Sequence, residues 1–187
     1  MSAIPVDEET RLRPLVPGDA QALFAQVDAN RAHLRRWLPW LDANRTLPHT
    51  REFIRRSLER EREGLGRVFL IEHANELCGT AGYNWIDPAN RACEIGYWLR
   101  EDRQGRGIAT RCVGALVRHA FEGLELNRVN IQVAVENARS RAIPERLGFQ
   151  RDGVVRDAEW LYDHFVDAVL YTLLRREFRD RQRRQSG

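Results

Sequence analysis

The amino-acid sequence predicts an α+β fold, in which an open, mixed and mostly antiparallel sheet is flanked by about four helices. Two observations lead to this prediction. Three strand-like runs follow one another with only short turns between them, which is the pattern of an antiparallel meander. Apolar residues recur at helical spacing both before and after this meander. The 187 residues, 43% of them hydrophobic, suit a single domain, whose core we place at about residues 10–175.

The first third of the chain predicts one strand followed by two helices. Residues 11–15 are typical of a short strand, and Asp19 is placed to cap a helix that begins at about Ala20. Residues 50–63 form a second amphipathic helix, which Gly64 closes.

The remaining elements are the meander, two further helices and three further strands. The meander occupies residues 67–72, 77–86 and 92–99. From Gly107, apolar residues fall at four-residue steps, which predicts a helix of about 14 residues ending near Gly123. Then come a strand, a helix and two last strands, predicted at residues 128–135, 137–147, 149–155 and 160–174.

Pro144 lies inside the last predicted helix. A proline has no amide hydrogen, so it cannot donate the helical hydrogen bond to the carbonyl of Ser140, four residues earlier. We therefore predict a kink that frees this carbonyl for water or a ligand.

The charges are numerous but nearly balanced. All 30 basic residues are arginine, and 27 acidic residues leave a net charge of +3, which makes nucleic acid an improbable main partner. The densest arginine cluster continues beyond Phe178, and we expect residues 176–187 to be a solvated, frayed basic tail. No apolar run is long enough for a membrane span, so we expect a cytoplasmic protein. Three cysteines without metal-ligand spacing predict buried thiols and no metal site.

The segment between the meander and the next helix predicts a phosphate site. The first amides of a helix bind anions, and Gly105 and Gly107 let the backbone approach phosphate oxygens closely. Arg103 and Arg106 can add charge-assisted contacts. Two common phosphate folds do not match this segment. A dinucleotide fold needs a third glycine where Thr110 stands, and a P-loop needs a lysine, which the chain lacks.

The segment resembles a known signature. Gln104-x-x-Gly107-x-Ala109, after Glu94-Ile95-Gly96-Tyr97-Trp98-Leu99, is similar to the acyl-CoA motif of GNAT acetyltransferases. Asn137-Ala138-Arg139-Ser140, followed by Leu147-Gly148-Phe149, resembles the next helix of that family. Residues 30–41 resemble the RimJ/RimL branch. The resemblance covers about residues 10–175.

The resemblance implies acetyl-CoA as co-substrate. The backbone amides of residues 104–109 would hold its pyrophosphate, and residues 98–100 would pair with the pantetheine arm like an added strand. Asn137 would hydrogen-bond the pantetheine or cap the next helix, and both roles are compatible. The implied coenzyme-binding residues are Trp98, Leu99, Arg100, Gln104, Gly105, Arg106, Gly107, Ile108, Ala109, Thr110, Asn137 and Ser140.

Acetyl transfer to an amine needs a base, an oxyanion site and a proton for the departing thiolate. By the resemblance, two carboxylates qualify as the base, Glu159 and Glu94. Ser140 is the candidate general acid, because the tyrosine that many members carry in this helix is missing between residues 139 and 147. A backbone amide near Leu99 would meet the oxyanion.

The acceptor is less well defined than the donor. The RimJ/RimL resemblance makes a protein N-terminal α-amine, of a ribosomal protein, the leading acceptor. A small-molecule amine such as an aminoglycoside, polyamine or amino acid is the alternative, and a non-catalytic acyl-CoA-binding module is another. A homodimer is expected from the resemblance. Five aromatic residues would line the acceptor cleft or belong to the core or a dimer interface: Trp37, Trp40, Trp85, Trp160 and Tyr162.

Overall fold

The computed structural model describes residues 3–185. Within that range the strands are β1 (Ile4–Pro5), β2 (Thr10–Pro14), β3 (Arg67–His73), β4 (Glu76–Asp87), β5 (Ala92–Leu99), β6 (Arg128–Ala134), β7 (Gln150–Leu161) and β8 (His164–Leu174). The α-helices are α1 (Ala20–Ala29), α2 (Arg31–Leu34), α3 (Leu47–Arg62), α4 (Ile108–Arg118), α5 (Ala138–Leu147) and α6 (Arg175–Gln185). Among the described residues, no helix has the length and apolar character needed to cross a membrane.

The sheet is open and mostly antiparallel, which confirms the predicted fold class. Its strand order is β1-β2-β3-β4-β5-β6-β8-β7, and β3, β4 and β5 form the predicted meander. One neighbouring pair, β5 with β6, is parallel. The crossover between these two strands contains α4, as parallel neighbours require.

Helices cover both faces of the sheet. The alternation along β3 shows the two layers, because Phe69 and Ile71 face the core under α4 whereas Leu70 faces the core under α1 and α3. Helix α4 places its apolar stripe, with Ile108 and Leu116 fully buried, on the first of these cores. The sheet thus separates two apolar cores, one on each of its faces.

The last two strands differ from the prediction. We predicted strands at 149–155 and 160–174, but β7 runs on to Leu161 and the hairpin turns at residues 162–163. Residues 156–158, which lie between the two predicted strands, belong to a bulged part of β7, where the pairing with β8 shifts between Val155 and Glu159. The true turn has no glycine or proline, and Tyr162 takes a positive φ of 66°.

Helix α4 ends differently from the prediction. The α-helical part stops at Arg118, and His119–Gly123 continue as a π-helical turn. Where the helix widens, the hydroxyl of Tyr83 donates to the carbonyl of Leu116 at 2.8 Å. A side chain that enters the helical ladder in this way is a known cause of such a widened turn.

The prediction of a frayed C-terminal tail was wrong for residues 176–185. Arg175–Gln185 form helix α6, which contacts β8, whereas residues 186–187 lie outside the described residues. The ring of Phe178 packs against Phe121 with ring centroids 5.2 Å apart. Arg181 donates to the carbonyl of Leu147 at 3.1 Å. One apolar anchor and one backbone contact therefore fix a helix that is otherwise strongly charged.

Candidate active site

Strands β5 and β6 separate part-way along the sheet. Their parallel pairing covers three positions and ends at Glu94, opposite Asn130. Beyond this point, residues 95–99 of β5 have no partner on the β6 side among the described residues. The gap opens into a cleft of about 1910 Å³ that runs from the turn before α4, past both strands, to α3. The unpaired strand edge offers backbone donors and acceptors to an extended ligand.

The turn before α4 forms a cradle of free amides. Gly105 and Gly107 have φ values of 75° and 73°, a left-handed conformation that strains residues with a side chain. No side chain caps α4, and the amides of residues 105–110 donate to no acceptor in the described part of the chain. Several free amides at the positive end of a helix dipole suit a phosphate group.

The arginines of this turn differ in availability. Arg103 is held by the carboxylate of Glu76, so the contact predicted for it with phosphate is not available in this arrangement. Arg106 is exposed and forms no ion pair with a described residue. Arg106 is therefore the better candidate of the two for a phosphate contact.

Residues from the junction of α1 and α2 hold the turn in place. The side chain of Asn30 accepts from the amide of Glu101 at 3.1 Å, and His33 Nε2 lies 2.7 Å from Gln104 Nε2. Because Gln104 Nε2 can only donate, the imidazole nitrogen must accept and His33 must be neutral. Burial agrees with this, since it lowers the pKa of His33. Arg139 fixes the other end of the Gln104 amide, at 3.5 Å from its oxygen.

Two carboxylates face the cleft where the strands part. Glu94 on β5 accepts from Asn84 at 3.0 Å, and Gly96 leaves room for that amide, since a β-carbon at Gly96 would lie 2.4 Å from the Asn84 oxygen. Glu159 lies on the bulged part of β7 and opens to solvent on one side. Desolvation raises the pKa of Glu159, and the charge of Glu94 raises it further. A carboxylate with a raised pKa is a stronger base.

Ser140 lies in the first turn of α5, on the other side of the gap. Asn137 caps this helix by accepting from the amide of Ser140 at 3.1 Å, which confirms the capping role. The hydroxyl of Ser140 donates to the hydroxyl of Tyr97 at 3.1 Å. The hydroxyl of Tyr97 in turn donates to the carbonyl of Ser140 at 3.2 Å. Pro144 does free this carbonyl, as predicted, and the structure shows Tyr97 as a partner for it.

Comparison with known proteins decides the family. The model of the acetyltransferase (GNAT) domain matches residues 9–150. The chain belongs to the GNAT acetyltransferase family. It is 37% identical over 174 residues to the putative ribosomal N-acetyltransferase YdaF of Bacillus subtilis, covering 92% of this chain and 95% of the relative. It is 32% identical over 168 residues to the ribosomal-protein-serine acetyltransferase of Escherichia coli, covering 90% and 94%.

Solved acetyltransferases share the fold of this GNAT chain. A RimL ribosomal α-N-protein acetyltransferase in complex with coenzyme A superposes with a TM-score of 0.90 at 31% identity, covering 92% of this chain and 98% of that one. The microcin C7 self-immunity acetyltransferase MccE, in complex with acetyl-CoA and AMP, gives 0.87 at 26% identity, covering 90% and 94%. The predicted GNAT family of RimJ/RimL type and the predicted acetyl-CoA-dependent N-acetyltransferase activity are confirmed.

The fold of this GNAT acetyltransferase brings the predicted site residues into one cleft. Its walls include both carboxylates, Ser140, Asn137 and most of the phosphate turn. Arg100 is turned away, because its guanidinium binds Asp102 at 2.8 Å and lies near Glu76. Of the aromatic residues, Trp37 and Trp40 line the cleft, whereas Trp160 packs edge-on against Phe165 at the exposed hairpin.

Three polar residues of the acetyltransferase cleft were not foreseen. His33 had no assigned role, and Asn84 and Tyr97 were not considered as site residues. Each reaches the site through a contact with a residue 10 to 71 positions away along the chain. Tyr97 lies within the segment 94–99 that resembles the family motif, next to residues 98–100, which were predicted to bind the pantetheine arm. This position was the one sequence signal that could have indicated a role in the site.

Proposed function

We propose that this acetyltransferase transfers the acetyl group of acetyl-CoA to the N-terminal α-amine of a protein, with ribosomal proteins as the acceptor class. The observation that carries the proposal is that Glu159 and Glu94 face the same cleft as the cradle of amides before α4. The names of the relatives with ribosomal-protein acceptors support the acceptor class.

Acetyl-CoA fits the cleft by its chemistry. The free amides of residues 105–110 suit the pyrophosphate, with Arg106 beside them. The open edge of β5 beyond Glu94 suits the amide groups of the pantetheine arm, which would pair there like a strand. This arrangement points the thioester at the gap between Leu99 and Ser140, where a strand amide near Leu99 can meet the developing oxyanion.

Glu159 is the base in this proposal, and Glu94 keeps a charge near it. An α-amine with a pKa near ~8 is partly protonated at neutral pH, so a nearby carboxylate that takes the proton raises the reactive fraction. As the nitrogen attacks the thioester carbon, its proton passes to Glu159. The hydrogen bond from Asn84 holds the Glu94 side chain in place on β5.

Ser140 is the acid. The collapse of the tetrahedral intermediate breaks the carbon–sulfur bond, and the thiolate takes the proton of the Ser140 hydroxyl to give coenzyme A. The serine oxygen regains a proton from solvent through the open cleft. The N-terminal turn of α5 favours negative charge at this position during the transfer.

A second acceptor class has specific support. MccE is similar to this chain and was solved with acetyl-CoA and a nucleotide, and the cleft here is wide enough for a small-molecule amine. Mass spectrometry on a mixed panel separates the two classes. We expect the highest kcat/KM for peptides with the N-termini of ribosomal proteins. Preference for an aminoglycoside, polyamine or amino acid would overturn the proposed acceptor, and coenzyme binding without any transfer would indicate a non-catalytic module.

We also propose a cytoplasmic homodimer. Strand β7 ends the sheet, and its outer edge pairs with no described strand. Trp160 and Phe165, 51% and 56% exposed, add apolar surface at the same hairpin. Sedimentation velocity checks this state, and a monomer at all concentrations tested would contradict it.

A further inference from the structure

Helix α5 contains a carbonyl that lacks the amide donor a regular helix would give it. Pro144 has no amide hydrogen, so the carbonyl of Ser140 lacks its helical donor. A half-buried carbonyl without a partner costs free energy, and this one accepts from the hydroxyl of Tyr97 at 3.2 Å. The proline and the tyrosine therefore form one arrangement, in which the helix is anchored to the cleft strand β5.

The hydroxyl oxygen of Tyr97 contacts the Ser140 hydroxyl as well as the Ser140 carbonyl. The Ser140 hydroxyl donates to Tyr97 at 3.1 Å, while the serine amide is held by Asn137. A serine hydroxyl otherwise rotates freely about its bonds, and the position of its proton is then not defined. With both contacts made, the Ser140 side chain is fixed on the cleft side of α5.

We propose that Tyr97 is a positioning residue for acetyl transfer, which acts through Ser140 by fixing the serine oxygen at the cleft, from where its proton can turn to the departing sulfur. This inference rests on the proposed function, in which Ser140 is the general acid. When the Ser140 proton turns to the thiolate, the Tyr97 hydroxyl can turn from the Ser140 carbonyl to the serine oxygen and donate to it. The serine then loses its proton while a donor stabilises the charge left behind.

Tyr97 keeps its own proton throughout. Burial is the main reason that the pKa of Tyr97 is raised to about 12, so the phenol stays neutral over the working range of the enzyme. The proton that reaches sulfur is the one on Ser140, and solvent replaces it. Tyr97 therefore supplies hydrogen bonds and not the transferred proton.

A double-mutant cycle on kcat tests this inference. The variants are Tyr97→Phe, Ser140→Ala and the double variant. Tyr171→Phe is the matched control, because the buried Tyr171 hydroxyl donates to Glu145 on the same helix at 2.7 Å without touching Ser140. We expect Tyr97→Phe to lower kcat about tenfold, with the KM for acetyl-CoA changed less than about twofold, since one hydrogen bond made in the transition state is lost.

The double variant separates a positioning role from an independent one. If Tyr97 acts through Ser140, Tyr97→Phe has no further effect on kcat when Ser140 is already alanine. The control Tyr171→Phe keeps its kcat, and melting temperatures show whether any loss reflects unfolding. We further expect no new basic limb in the pH profile below about pH 10, because Tyr97 does not ionise there.

Three results would overturn the inference, and they differ in what else they reject. Multiplicative losses in the double variant would make Tyr97 an independent participant and leave Ser140 as the acid. An unchanged kcat in Tyr97→Phe, with a strong loss in Ser140→Ala, would reject the role of Tyr97 alone. An unchanged kcat in Ser140→Ala would reject the proposed acid and, with it, the inference.

Discussion

Glu94 and Glu159 lie on different strands, yet the charge of Glu94 raises the pKa of Glu159 across the cleft. Strand β5 brings one carboxylate to the point where its pairing with β6 ends, and the bulge in β7 brings the other. Repulsion between two nearby carboxylates favours the protonated form of one of them. Within the pair, Asn84 holds Glu94 in place, and Glu159, whose pKa is raised, is the proton acceptor of the proposed mechanism.

Glu94→Gln should move the acid limb of the pH–rate profile to lower pH. Glu159 works as a base only when ionised, so kcat/KM falls as the pH drops through its pKa. Removing the Glu94 charge takes away one cause that raises this pKa. Glu59→Gln, on the exposed face of α3, is the control that should leave the limb in place. A limb that moves to higher pH would contradict the coupling.

Gly107→Ala should weaken coenzyme A binding. At φ 73° an added side chain is strained, and its β-carbon would lie 2.9 Å from a guanidinium nitrogen of Arg111. We expect the dissociation constant to rise about tenfold or more, because the turn must change shape. Gly18→Ala, which meets nothing within 4 Å, is the matched control. Calorimetry measures both, and equal affinities would show that the turn does not hold the pyrophosphate.

Protonation of His33 should loosen the coenzyme turn at low pH. Desolvation lowers the pKa of His33, so the folded chain binds this proton more weakly than the unfolded chain does. The bond to Gln104 is thus complete above the ordinary histidine pKa of about 6.5 and is lost as the pH falls through the lower folded value. Dephospho-coenzyme A should bind several-fold more weakly at about pH 5 than at about pH 8.

The use of dephospho-coenzyme A matters, because a phosphate monoester itself titrates near a pKa of about 6. Gln104→Ala removes the contact to His33 and is the control variant, whose affinity should no longer depend on pH in this range. If the affinity of wild type and of Gln104→Ala depended equally on pH, the contact between His33 and Gln104 would not be the cause of that dependence. Proton NMR of the imidazole gives the pKa of His33 directly.

Local patterns were sufficient to predict the order of the main strands and helices and the phosphate turn, but not β1, α2 or α6. The turn can be predicted because its signals are local. Its glycines lie within a few residues of the point where helical spacing of apolar residues begins. The hairpin of β7 and β8 was misplaced because its turn at Tyr162 and Asp163 has neither glycine nor proline, so Asp163 is its single turn-favouring residue. Tyr97 and Ser140 are 43 positions apart, and no local pattern reports a contact of that kind.

The C-terminal helix shows the same limit. Charge density alone favoured a frayed tail, but the contact of Phe178 with Phe121 depends on how α4 continues as a π-helical turn. A single apolar residue among arginines gives no periodic signal. Tertiary packing decided the outcome here.

Phe178→Ala should lower the free energy of unfolding by about 2 kcal/mol, since a half-buried ring and its aromatic contact are lost. Arg179→Ala, on the exposed side of the same helix, should change it by less than about 0.5 kcal/mol. Urea denaturation measures both. Equal values for the two variants would mean that α6 does not depend on this anchor.

The pH dependence of the Glu159→Gln defect tests the central claim most directly. If Glu159 takes the proton from the acceptor amine, the variant should be slower than wild type by about a hundredfold at neutral pH. The ratio should shrink as the pH rises above the amine pKa of about 8, because solvent then supplies the free amine and only the proton lost during attack still needs the base. The melting temperature should not fall, since the variant removes a carboxylate whose pKa is raised by desolvation and by Glu94. A defect that stays constant across this range, or no defect at all, would contradict the account.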